Sequence, residues 1–139
     1  MKGLKNLVRL HKHRLDERRR LLIELETLRA ALVGQVAVLD ARLAREAETA
    51  RRSDEIRFAY TAFAADARSR RETLLISIAE TDDQVGQTRE QISITFQDMK
   101  RYETVLERRQ AAAARHLARL EQTRLDEIGL DAFRRRAVI

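Results

Sequence analysis

The chain contains no proline, no cysteine and no tryptophan, and only four of its 139 residues are glycine. Without proline, nothing in the sequence removes a helix hydrogen bond or clashes with the preceding turn, so very long helices are permitted. Without cysteine there is no disulfide framework, thiolate nucleophile or zinc-binding cysteine cluster. Six aromatic residues (4%) set against 36% charged residues leave too little bulk for a compact globular core. No run approaches the roughly 18 apolar residues of a membrane span. No apolar segment follows Lys2, so no secretory leader is expected, and the expected compartment is the cytoplasm. No glycine-rich phosphate loop, nucleophile motif or zinc spacing is present. No enzymatic activity and no cofactor are expected.

What the sequence has is helix-forming residues in a coiled-coil period. Leu, Ala, Arg and Glu dominate. Alternating steps of four and three pick out Leu4, Val8, His11, Leu15, Arg18, Leu22, Leu25, Arg29, Leu32, Val36, Leu39, Leu43, Glu46 and Ala50, ten of fourteen apolar. Leu21 and Leu28 flank that stripe. A second row steps by seven through Ile78, Val85, Ile92, Met99, Leu106, Ala113 and Leu120. Its companion row runs Leu74, Thr81, Thr88, Thr95, Tyr102, Arg109, His116, Thr123 and Leu130, and is half polar. A period near 3.5 sustained over several heptads marks a left-handed coiled-coil seam. The fold class predicted is all-α, a long antiparallel two-helix coiled coil or helical hairpin forming a single domain over residues 1–139.

The pattern breaks between the two combs. Ser69 with Glu72 has the form of a capping box. The expected boundaries are helix one at about 4–50, an apex at about 51–70, helix two at about 71–128 and a short tail at 129–139. Gly129, followed by Leu130, has the form of a Schellman stop. A reversal near residue 60 pairs residue i with roughly 120 − i. It sets Gly34 opposite Gly86 and leaves residues 117–139 overhanging the N-terminus.

Three of the six aromatics, Phe58, Tyr60 and Phe63, fall in the expected apex. Phe58 and Tyr60 are two apart, so one helix face does not bury both. The cluster either packs inside the apex or docks a partner. Charge is polarised. Residues 1–30 carry nine basic and four acidic groups and residues 101–139 carry nine and six, whereas residues 61–100 carry five and seven. The basic end suits an acidic partner surface, with Arg18, Arg19, Arg20, Arg108, Arg115 and Arg119 as candidate contacts. For any one of them, a solvated flank is the simpler reading. His11, His13 and His116 lack a carboxylate set, so no metal site is expected. His11 and His116 are expected as polar teeth of the seam, and Asp82-Asp83 as a solvated pair.

Leu106-Glu107-Arg108-Arg109 and the closing run Glu121-Gln122-Thr123-Arg124-Leu125-Asp126-Glu127-Ile128, on a basic cysteine-free hairpin of this length, resemble the FliJ family of flagellar type III export proteins. The resemblance extends over nearly the whole chain. It implies a coiled coil similar to the central stalk of a rotary ATPase. The implied partners are the hexameric flagellar export ATPase, the export-gate membrane protein and export chaperones. It also implies a place in the cytoplasm, peripheral to the inner membrane. By that analogy the basic end meets the ATPase ring and the apex faces the gate. The expected state is a monomer that binds no nucleic acid. Two alternatives stay open: a homodimeric scaffold built on the stripe Leu21, Leu25, Leu28 and Leu32, or a basic hairpin binding nucleic acid through the same arginines.

Overall fold

A computed structural model describes residues 1–138, and Ile139, the last residue of the expected tail, lies outside them. Two helices, α1 (Lys2–Ala50) and α2 (Asp54–Val138), pack against each other in antiparallel fashion, and no strand is present among the described residues. The all-α hairpin class is the one the periodicity predicts. The chain divides into two compact units: residues 14–94, which contain the turn, and residues 1–13 with 95–139. Segments of both helices build each unit.

The turn is far shorter than the expected apex. Between the helices lie only Arg51, Arg52 and Ser53. Arg52 N donates to Thr49 O at 3.2 Å, and Arg57 N donates to Ser53 O at 3.0 Å. Ser53 stands at the N-cap position, and Asp54 and Glu55 place negative charge at the positive end of α2. The Arg57 side chain reaches back to Ala50 O at 3.3 Å. Helix two therefore starts at Asp54 rather than near 71, and Ser69 and Glu72 are mid-helix residues, not a cap. In this stretch alanine carries the seam. Ala50, Ala64 and Ala67 are buried, and small side chains allow close helix approach where a search for leucine finds only a gap.

Helix two also runs on past its expected stop. Gly129 takes no positive-φ conformation, and α2 continues through it to Val138. A helical glycine costs about 1 kcal/mol against alanine, and the good helix formers on either side absorb that.

The seam of α1 follows its comb closely. Twelve of the fourteen teeth are buried or half-buried, the exceptions being Arg29 and Glu46. On α2 the row from Ile78 to Ala113 is buried or half-buried, but Leu120 is exposed. The companion row is more deeply buried than its polarity implies. Among the described residues, Thr81, Thr88 and Thr95 are the buried polar ones, each at 5% exposure or less. The Thr81 hydroxyl donates to Ser77 O at 2.8 Å, which satisfies a polar group inside an otherwise apolar seam.

The register is also shifted. Arg29 meets Asp82 rather than position 91, and Glu26 meets Arg89 rather than position 94. Gly34 lies between the Arg29–Asp82 and Asp40–Arg71 rungs, so its level on α2 falls between Arg71 and Asp82, not at Gly86. A Cβ built on either glycine would meet nothing within 4 Å. The shift is in the direction set by the turn lying at Arg51–Ser53 instead of near residue 60.

Candidate partner-binding surfaces

Within residues 14–94 the two edges of the helix pair differ chemically. Along one edge, Arg71 Nε donates to Asp40 Oδ1 at 2.9 Å and Arg89 Nη2 donates to Glu26 Oε1 at 3.1 Å. Arg29 pairs with Asp82 on that same edge, and this contact holds the Arg29 guanidinium above its ordinary pKa. Asp82, expected as half of a solvated pair, is solvent-exposed but also paired across the helices. The other edge is a shallow groove in which Leu21 and Leu25 of α1 face Gln84, Gln87, Thr88 and Gln91 of α2. It continues toward the turn past Gln35, Val38 and Leu74 to Arg42 and Arg70.

The aromatic trio does not form one surface. Tyr60 and Phe63, three apart, are half-buried on the seam side, and the Arg42 guanidinium lies 4.7 Å from the Phe63 ring centroid. Phe58 is 84% exposed. A helix turns about 100° per residue, so a position two residues from Tyr60 points well away from the seam. Phe58 is the one member of the trio presented to solvent.

The six basic candidates fall in different units. Arg18 is half-buried on the α1 seam and engaged in an interaction there, and Arg19 and Arg20 are exposed, all within residues 14–94. Arg108, Arg115 and Arg119 belong to the other unit and are exposed. Their spacing of seven and four puts those three on one face of α2. In the same unit, every residue from Ala114 to Val138 is exposed, including Leu117, Leu120, Leu125, Ile128 and Phe133. The expected overhang is therefore present and begins slightly earlier than residue 117.

His11 is a seam residue of that unit. Its Nδ1 lies 2.9 Å from Leu7 O, and its ring meets Tyr102 at 5.0 Å between centroids. His116 is exposed instead of filling a seam position. Among the described residues, no group of three His, Cys, Asp or Glu is placed to hold a metal ion, and no helix is long and apolar enough to cross a membrane.

The chain is 26% identical over 125 residues to the "Flagellar FliJ protein" of Caulobacter vibrioides, in strain NA1000 and in strain CB 15 alike, covering 90% of each sequence. It resembles flagellar FliJ. At that coverage the FliJ likeness takes in both helices and the turn between them. No family model matches the chain, and no solved structure matches it with significance.

Two features of this FliJ-like hairpin were missed in the sequence. One is the ion-pair edge. Glu26, Arg29 and Asp40 share a face by their spacing of three and eleven, as do Arg71, Asp82 and Arg89 by eleven and seven, but matching the two sets needs the register. The other is a patch on α2 where Phe96, Lys100, Arg101, Val105 and Arg108 adjoin, with Lys100 Nζ 5.6 Å from the Phe96 centroid. The i, i+4, i+5, i+9, i+12 spacing of that patch is legible once the seam is assigned.

Proposed function

We propose that this chain is a non-enzymatic component of the flagellar type III export apparatus. In this reading it is a coiled-coil stalk that links the hexameric export ATPase to the export gate and to export chaperones. It works in the cytoplasm, peripheral to the inner membrane through its partners. The observation that carries the reading is the likeness to flagellar FliJ over nine-tenths of both sequences. The unpaired stretch Ala114–Val138 supports it, because that stretch offers apolar and basic side chains no other part of the chain covers.

A closed hexameric ring presents the same surface several times to a stalk in its pore. Such a contact has to seat the stalk without locking it into one deep pocket. Distributed arginines suit that requirement, since each forks onto an acidic group while its stem covers apolar surface. Exposed pairs contribute about 0–1 kcal/mol each, so no single arginine is decisive. Replacing Arg18, Arg19, Arg20, Arg115 and Arg119 together by Gln is expected to lower association with the cognate export ATPase, and its stimulation, several-fold. Single replacements are expected to do little. The assay is ATP turnover with titrated protein at two salt concentrations. If the five-fold variant stimulates as well as wild type while DNA binding collapses, the nucleic-acid reading takes the place of the stalk.

A further inference from the structure

We infer that the solvent-facing side of α1 in the 14–94 unit is a self-association surface, on which α1 of a second copy packs in antiparallel fashion about a two-fold axis at Gly34. The inference goes beyond the export reading and does not depend on it.

The side of α1 turned away from α2 has a comb of its own. Ile23, Thr27, Ala30, Gly34, Ala37, Ala41 and Ala44 follow alternating steps of four and three, and all are exposed. A seam period on a helix whose first seam is already filled asks for a further helix. The comb carries no charge, in a chain with 36% charged residues. Ile23 is 63% exposed, and Val38 beside the comb 67%. A Cβ built on Gly34, at the centre, would meet nothing within 4 Å, so no close approach inside the chain offsets the low helix propensity of glycine there. A two-fold axis at that point brings two backbones together with no side chain between them.

Charge selects the occupant. An isologous antiparallel pair centred on Gly34 sets the central row Arg20, Thr27, Gly34, Ala41 and Glu48 against the same row reversed. Arg20 then meets Glu48 of the second copy, and Glu48 meets its Arg20. On one flank Ile23 comes level with Ala44 and Ala30 with Ala37. On the other, Ala31 comes level with Val38 and Glu24 with Arg45. Asp16 and Glu17, one turn further out, approach Arg51 and Arg52 at the copy's turn. All eight charges that these three rows carry from Asp16 to Arg52 therefore face a charge of opposite sign. A parallel pair would set Arg20 against Arg20 and Glu48 against Glu48. A slide of one heptad would set Arg20 against Ala41, or Glu48 against Thr27. Residues 16–52 carry eight basic and seven acidic groups, so most of the net charge of +6 lies outside the contact.

The test uses the purified full chain. In sedimentation equilibrium over a wide concentration range, the average mass should climb from 16.1 kDa toward twice that value. Arg20→Glu sets like charges together twice and should weaken association by at least about tenfold. Arg20→Glu with Glu48→Arg restores both pairs and should recover most of the loss. Gly34→Leu should keep the backbones apart and weaken association by at least about tenfold, with the far-UV helical signal unchanged or raised. Because the chain has no cysteine, single substitutions report the geometry directly. Gly34→Cys should form an intermolecular disulfide readily under mild oxidation, and Gln84→Cys on α2 should not. A mass fixed at 16.1 kDa at every concentration overturns the inference. So does a dimer indifferent to Gly34→Leu, a double charge swap no better than the single one, or equal cross-linking at positions 34 and 84.

Discussion

Arg71 donates from α2 to Asp40 on α1, whereas in the neighbouring rung Arg29 donates from α1 to Asp82 on α2. The donor thus changes helix between rungs, so each helix presents both signs along this edge. A slide of one helix past the other breaks rungs and sets like charges against each other. The register is held by that alternation as well as by the seam. Asp40→Arg alone should destabilise the fold, and Asp40→Arg with Arg71→Asp should recover most of the loss. The coupling energy expected for an exposed pair is about 0.2–1 kcal/mol. A double-mutant cycle in urea measures it, and zero coupling would assign the register to the seam alone.

The buried threonines make a separate prediction. Thr81 and Thr88 sit in the seam at 5% exposure, where a methyl group in place of the hydroxyl loses only a local bond such as Thr81 to Ser77. Replacing both by Val should raise stability by about 1 kcal/mol, because a polar group leaves a desolvated position. Thermal unfolding followed by circular dichroism reads the effect. A fall in the midpoint would mean that the hydroxyls hold the packing in place.

Gly129 offers a test with opposite signs for two structures. In a continuous helix with open space around its Cα, Gly129→Ala should raise local helicity by about 1 kcal/mol. At a left-handed stop the same change would destabilise. Amide exchange protection at residues 126–133 distinguishes the two directions.

Phe58 and Phe63 should separate cleanly. Phe58→Ala removes an 84% exposed ring and should leave the unfolding midpoint unchanged. Phe63→Ala removes a half-buried ring that stacks with Arg42, and should lower stability by about 1–2 kcal/mol. If the export reading holds, Phe58→Ala weakens binding to a protein partner while its fold is intact. Full affinity in that variant would remove Phe58 from the contact surface.

The seam of α1 was legible because its teeth are leucine and valine at alternating steps of four and three, a signal that survives even with His11 and Arg18 in the row. The turn was not. Arg51-Arg52-Ser53 contains no glycine or proline, and three ordinary residues are enough to join two antiparallel helices. On its far side the first fully buried positions of the helix are alanines, Ala64 and Ala67, which keep the period without the hydrophobicity that advertises it. Placing the reversal near 60 carried through to the register, and with it the pairing of Gly34 with Gly86. Gly129 misled for a related reason: glycine is compatible with a helix stop but does not impose one. Of the candidate site residues, exposure of the isolated Phe58 follows from its two-residue offset from Tyr60. The ion-pair edge required knowing which residues stand level.

The three-residue turn also sets an order in time. The rungs of the ion-pair edge join residues 31, 53 and 63 positions apart in sequence. Loop-closure entropy grows with that separation, and once one rung has formed the next closes only a short additional loop. Assembly from the turn outward is then the route with the least unfavourable entropy, like a zipper started at its closed end. On that route Asp40–Arg71 is in place at the folding transition state, and Glu26–Arg89 forms after it. Weakening the first rung should chiefly slow folding, and weakening the last should chiefly speed unfolding.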